Sequence, residues 1–154
     1  MSDAPASAPM IAEPPLPAIS EDSAPFWEAA ARGELVMQAC ASCGRLRFPP
    51  RPVCPWCQSF GSEWRRMSGR ATVWSYVVPH PPLLPAFQPL APYNVIVVTL
   101  EEDPTIRLVG NLLASADGAI NEIDPATIRI GEPVSVVFQQ VAEDVHLPRW
   151  VRSS

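Results

Sequence analysis

The pattern of apolar and polar positions changes character after Cys57. Upstream, the segment SAPFWEAAARGEL carries helix signals. Ser23 is placed to act as N-cap, Pro25 is tolerated in the first turn, Ala29–Ala31 propagate, and Gly33 suits the stop. Phe26, Trp27 and Ala30 then share one apolar face, either packed on this chain or offered to a partner. A helix this short is stable only when docked. Residues 34–39, ELVMQA, read as a short strand leading into a cysteine-rich stretch.

Downstream, SGRATVWSYVVPH alternates Ala71, Val73, Ser75 and Val77 against Thr72, Trp74, Tyr76 and Val78, a strand pattern. YNVIVVTLEE, TIRLVGNLLA and GEPVSVVFQQVAE are further apolar strands, punctuated by Ser68-Gly69, Asp103-Pro104 and Gly131. PPLLPAFQPLAP is a proline-rich apolar loop, and 115–130 is mostly loop with a turn at Asp124-Pro125. HLPRWVRSS reads as an apolar-basic tail after the last strand. Four or five strands without helical periods between them predict a mainly β protein ending in a small closed or partly closed antiparallel barrel, which also disposes of exposed sheet edges.

At 154 residues and 47% apolar, the chain has room for one ordinary domain, or a small domain with an appendage. No run approaches the eighteen apolar residues of a membrane span. Residues 1–22 are Ala/Pro-rich and lack the basic start and apolar core of a secretory signal, so the expectation is a cytoplasmic protein with a disordered leader. The net charge of -5 argues against general polyanion binding. All eleven basic residues are arginine, however. Six of them, Arg45, Arg47, Arg51, Arg65, Arg66 and Arg70, fall where Glu63 is the only acid, a local surplus of five. Guanidinium groups suit bidentate phosphate contacts.

All four cysteines lie in CASCGRLRFPPRPVCPWC, as two C-x-x-C pairs: Cys40 and Cys43, Cys54 and Cys57. A disulfide framework needs an oxidising compartment. A thioredoxin-like site needs a strand before the motif and a helix after it, and no helical pattern follows CPWC. Two nearby C-x-x-C turns instead bring four thiolates to the corners of a tetrahedron, which suits structural Zn²⁺, with rubredoxin-like iron as the other metal. A closed Cys₄ site has no open coordination position for catalysis.

The remaining nucleophile inventory is thin. There is no lysine, His80 and His146 are the only imidazoles, and Glu101, Glu102 and Asp103 form a solvated turn cluster. No G-x-S-x-G, Walker or dinucleotide fingerprint is present.

Taken in order, FWEAAARGELVMQACASCG, FPPRPVCPWC, SGRATVWSYVV, a proline-rich loop, YNVIVVTLE, RLVGNL and IGEPVSVVF resemble the DUF35 family, from about Phe26 to Arg149. The resemblance implies an N-terminal helix, a rubredoxin-like zinc ribbon and a C-terminal OB-fold barrel. The expected organisation is a disordered tail over 1–22 and a docking helix with lead-in strand over 23–38. A zinc ribbon over 39–66 and the barrel with its tail over 67–154 complete it.

The family also implies a non-catalytic subunit complexed with a thiolase-like enzyme (a thiolase, an acyltransferase or a lipid-transfer-protein-like aldolase) acting on acyl-CoA. Steroid side-chain and fatty-acid degradation are the settings it suggests. Structural zinc on Cys40, Cys43, Cys54 and Cys57 carries over, and catalytic residues do not. The six arginines then become candidate contacts to CoA phosphates or to acidic residues of the partner. Leu83, Leu84 and Phe87 become a partner contact, an acyl-channel wall or a loop folded over the barrel mouth. The rival readings are an OB fold gripping single-stranded nucleic acid with Trp74 and Tyr76, and a stand-alone acyl-CoA-binding protein.

Overall fold

Among the described residues, two β-sheets are held together with one α-helix packed against strands of both. The computed structural model describes residues 13–154, so positions 1–12 of the expected tail lie outside it; residues 13–20 run without regular structure. The helix α1 (Ala24–Ala31) ends in a Schellman closure. The Gly33 N–H bonds the Ala30 carbonyl at 3.0 Å and the Glu34 N–H bonds the Ala29 carbonyl at 2.9 Å. Gly33 takes φ 77, which explains the glycine at this stop. Ser23 occupies the N-cap position but its side chain accepts no bond from the helix; its hydroxyl is engaged with Ser20 instead. Phe26, Ala29 and Ala30 are buried, and Phe26 packs its ring against Phe48 at 5.7 Å, so that aromatic is used within the chain.

The first sheet is three-stranded, in the order β2-β1-β3, from β1 (Val36–Cys40), β2 (Leu46–Arg47) and β3 (Ser62–Arg66). Every residue of β1 is buried. In contrast, β3, SEWRR, is exposed except at Trp64, which packs against the core; backbone bonds pair it with β1, and the Gln38 amide adds one side-chain bond to the Ser62 hydroxyl at 3.3 Å.

The second sheet holds β4 (Arg70–Val77), β5 (Val95–Leu100), β6 (Arg107–Gly110), β7 (Leu112–Leu113), β8 (Pro133–Ala142) and β9 (Val145–Arg152). Its order is β6-β5-β4-β8-β9-β7. The two end strands are consecutive in the chain, separated by Asn111 alone. One stretch therefore pairs with β5 on one side and β9 on the other, and the two ends of the ladder meet. The expected single strand TIRLVGNLLA is thus broken at Asn111. The alternation of β4 also breaks: a bulge between Val73 and Ser75 leaves Trp74 outside, under the Arg107 guanidinium at 3.8 Å from the ring centroid.

The expectation for the C-terminus fails as well. HLPRWVRSS is not a tail after the last strand, because residues 145–152 form the last strand itself and pair antiparallel with β8 from Val134↔Arg152 to Ala142↔Val145. Pro148 and the polar residues around it hide the strand from a reading of alternation. Trp150 fills the interior in place of a run of aliphatics, with no exposed surface.

A single core joins the layers. Phe26, Leu35 and Met37 from the first part pack with Val73, Ile96, Val98, Leu108, Val134 and Trp150 of the barrel. A smaller cluster of Tyr93, Leu113 and Ile120 sits at one end, covered by Leu83, Phe87 and Leu90 of the proline-rich loop; Leu84 points out at 57% exposure. No helix among the described residues is long and apolar enough to cross a membrane.

Candidate metal centre

The four cysteines arrive as two matched turns. Cys40 closes β1, and the Gly44 N–H reaches back to its carbonyl at 2.9 Å; the Gln58 N–H reaches the Cys54 carbonyl at the same 2.9 Å. The residue after each C-x-x-C is left-handed, Gly44 at φ 77 and Gln58 at φ 62. Both turns thus curl their sulfurs toward a common point. The four Sγ atoms lie within 4.8 Å of one another, with Cys40 to Cys57 at 3.4 Å and Cys43 to Cys54 at 3.7 Å. Cys40 and Cys54 are buried and Cys43 and Cys57 exposed.

The electrostatics fit a cation. The Cys43 N–H, followed by that of Ser42, stabilises a thiolate at Cys40, whose pKa falls to about 6. At Cys54 burial opposes ionisation, but the N–H groups of Cys57 and Trp56 outweigh it and the pKa is again lowered. The Arg45 N–H favours ionisation of Cys43, yet burial and the other three sulfurs push it up to about 11. Four thiolates this close repel one another unless a positive ion sits between them, and four sulfurs at tetrahedral spacing are the donor set of a closed metal site.

The arginines do not act as one patch. Arg65 bonds Glu63 at 2.7 Å and the Gly44 carbonyl at 3.0 Å. Arg66 meets Glu34 at 3.6 Å and Arg70 meets Glu101 at 2.6 Å. Two of these acids come from outside the basic window, so the folded chain offsets a charge surplus that a linear count reports. Arg45 lies 5.5 Å from the Trp56 ring centroid. Arg47 is buried, with Nε donating to Gln38 Oε1 at 2.7 Å. Gln38 and Trp56 were not candidates on sequence grounds. The available signal was a single amide inside the apolar run of β1. His80 is exposed, whereas His146 is half-buried and lines a recess with Trp27, Glu28 and Glu143.

A helix, a four-cysteine ribbon and an OB-type barrel that follows it directly after β3 define a two-module architecture. Models of the ChsH2 rubredoxin-like zinc ribbon domain and the ChsH2 C-terminal OB-fold domain match residues 27–63 and 64–139. A "DUF35 domain-containing scaffold protein" of Methanothermobacter thermautotrophicus is 35% identical over 114 residues, 73% of this chain and 77% of that one. The chain belongs to this DUF35 (ChsH2-type) family. A solved structure described as an "Ltp2-ChsH2(DUF35) aldolase" contains a chain that is 39% identical, with a TM-score of 0.76, covering 90% of this chain and all of that one. A "probable enoyl-CoA hydratase alpha subunit" of Thermomonospora curvata is 41% identical over 134 residues, 87% of this chain. The chain spans only 38% of that relative's length.

Proposed function

We propose that this chain is a non-catalytic accessory subunit of a thiolase-like enzyme, an aldolase in the first instance, acting on acyl-CoA. Its ribbon is held by one structural zinc ion on Cys40, Cys43, Cys54 and Cys57. The observation that carries the reading is the 39% identical DUF35 chain of an Ltp2-ChsH2 aldolase, which this chain matches over its full length. The chemistry of the chain agrees. A thiolytic or aldol step needs an activated nucleophile or base, and all four cysteines converge on one metal-binding point. The subunit stabilises its partner and shields the CoA-linked intermediate. Arginines of the 45–70 window are its candidate contacts to CoA phosphates or to acidic residues of the partner.

Co-expression with a thiolase-fold protein encoded beside it tests the reading. Co-purification at fixed stoichiometry, with a gain in the partner's soluble yield or activity, is the expected result. If the partner is equally soluble and active alone and does not co-purify, the reading is wrong.

A further inference from the structure

The six arginines of the basic window separate into two sets. Arg65, Arg66 and Arg70 each hold a carboxylate. Among the described residues, Arg45, Arg47 and Arg51 hold none. Arg47 is the decisive member, at 2% exposure. Its Nε donates to Gln38 Oε1 and its Nη2 to the Arg51 carbonyl at 3.0 Å, both neutral acceptors, while its Nη1 is buried without any acceptor. A guanidinium cannot shed its proton to escape burial. A buried charge answered only by neutral groups is costly and is relieved by a counter-anion.

Arg47 also lines a recess of about 320 Å³ at the seam between ribbon and barrel. Arg51 and Trp56 line it from the ribbon, and Thr105 lines it from the barrel. Arg51 is exposed, and Trp56 shows half its surface. The carboxylate on the facing loop is already engaged: Asp103 accepts from the Thr105 N–H at 3.0 Å and from its hydroxyl at 2.6 Å. The recess is thus lined by two arginines, Arg47 with its Nη1 left without an acceptor, and by Trp56, whose ring carries Arg45 at 5.5 Å.

We propose that this recess binds a phosphate group of an adenine nucleotide. Arg47 and Arg51 donate to the phosphate oxygens, and Trp56 packs against the base. The choice of nucleotide, the adenine end of a CoA thioester, rests on the accessory-subunit reading; the anion site rests on Arg47.

The test uses the zinc-loaded full chain without a partner, so that it fails or succeeds separately from co-purification. Adenosine 3′,5′-bisphosphate is titrated while the arginine Nε–H and tryptophan indole N–H signals are followed by NMR. Saturable shifts are expected at Arg47, Arg51 and Trp56, with Arg65, Arg66 and Arg70 unmoved. Arg51→Gln, an exposed change that leaves the fold alone, weakens binding about tenfold. Trp56→Leu weakens it as well, and Arg65→Gln leaves it unchanged. The proposal is overturned by the absence of a saturable shift, or by equal weakening in Arg65→Gln, which would mean a diffuse charge effect. It is overturned equally if adenosine or glutarate reproduces the shifts, since the site would then read a base alone or a carboxylate.

Discussion

Asn94 grips the backbone of Leu112 at both ends: its Oδ1 accepts from the Leu112 N–H at 2.7 Å, and its Nδ2 donates to the Leu112 carbonyl at 3.0 Å. Asn111, the residue between β6 and β7, returns a bond from its own Nδ2 to the Asn94 carbonyl. Asn94 has no exposed surface, so water cannot replace these bonds. Asn94→Leu is therefore expected to cost about 2–4 kcal/mol, from two buried backbone groups left unpaired. Asn94→Asp is no rescue, because it sets a carboxylate oxygen against the Leu112 carbonyl. Urea unfolding of both variants checks this; a loss within experimental error for Asn94→Leu would show the clasp to be dispensable.

Removing the metal should unfold the ribbon before the barrel. Zinc in such sites supplies on the order of 10 kcal/mol to folding, and the ribbon sheet holds one fully buried strand. Native mass spectrometry is expected to find one zinc per chain. Chelation, or Cys40→Ser, should melt the signals of Val36–Arg66 while the barrel amides stay dispersed. A chain with unchanged spectra after complete chelation would contradict this.

The last strand rests on one side chain. Trp150 is fully buried between β8 and the Asn111 segment, bonding the Asn111 carbonyl through its backbone N–H at 3.0 Å. Trp150→Ala is expected to cost about 3–5 kcal/mol. Gly110 allows the indole to sit where it does: a Cβ there would lie 2.9 Å from Trp150 Nε1 and 3.3 Å from the Pro148 carbonyl. Gly110→Ala should accordingly lose about 1–3 kcal/mol by overpacking. Thermal melts of the two variants, ranked in that order, are the check.

What sequence made legible follows from where burial wrote a pattern. β5 and the first half of β4 announce themselves because more and less buried positions alternate, and β8 because its start is an apolar, β-branched run. The cysteine turns are equally plain, since two C-x-x-C pairs close together are a characteristic spacing for four thiolates around one metal. β3 and β9 were invisible for opposite reasons. β3 buries only part of Trp64 among charged neighbours, while β9 concentrates its burial in Trp150 and carries a proline. The pairing of Arg66 with Glu34 and of Arg70 with Glu101 was equally hidden. Each joins residues about thirty positions apart, and a window count sees only neighbours.

Acid should act locally at the turn between β5 and β6. Burial raises the Glu102 pKa, but the Ser68 hydroxyl and N–H, with help from Arg70, outweigh it and leave the group below its ordinary value of 4.5. A carboxylate depressed in the folded state stabilises above its unfolded pKa. That contribution disappears as pH falls through the lower folded value. The effect is expected to be under about 1 kcal/mol because the group is solvated. Glu102→Gln should flatten the stability slope below pH 4.5 and leave neutral stability little changed. An unaltered acid slope in that variant would remove Glu102 from the account.

The meeting of the ladder's ends at Asn111 has a consequence for how this chain tolerates length changes. Most barrels accept an added residue in a connecting loop, because the strands on either side keep their own partners. Here one stretch, from 107 to 113, pairs with β5 through Arg107–Gly110 and with β9 through Leu112 and Leu113. An insertion at position 111 would turn every side chain of β6 or of β7 to the opposite face. The seam can thus drift in composition but not in length, and homologous chains are expected to keep this stretch at constant spacing even where the 79–92 or 115–130 loop changes length.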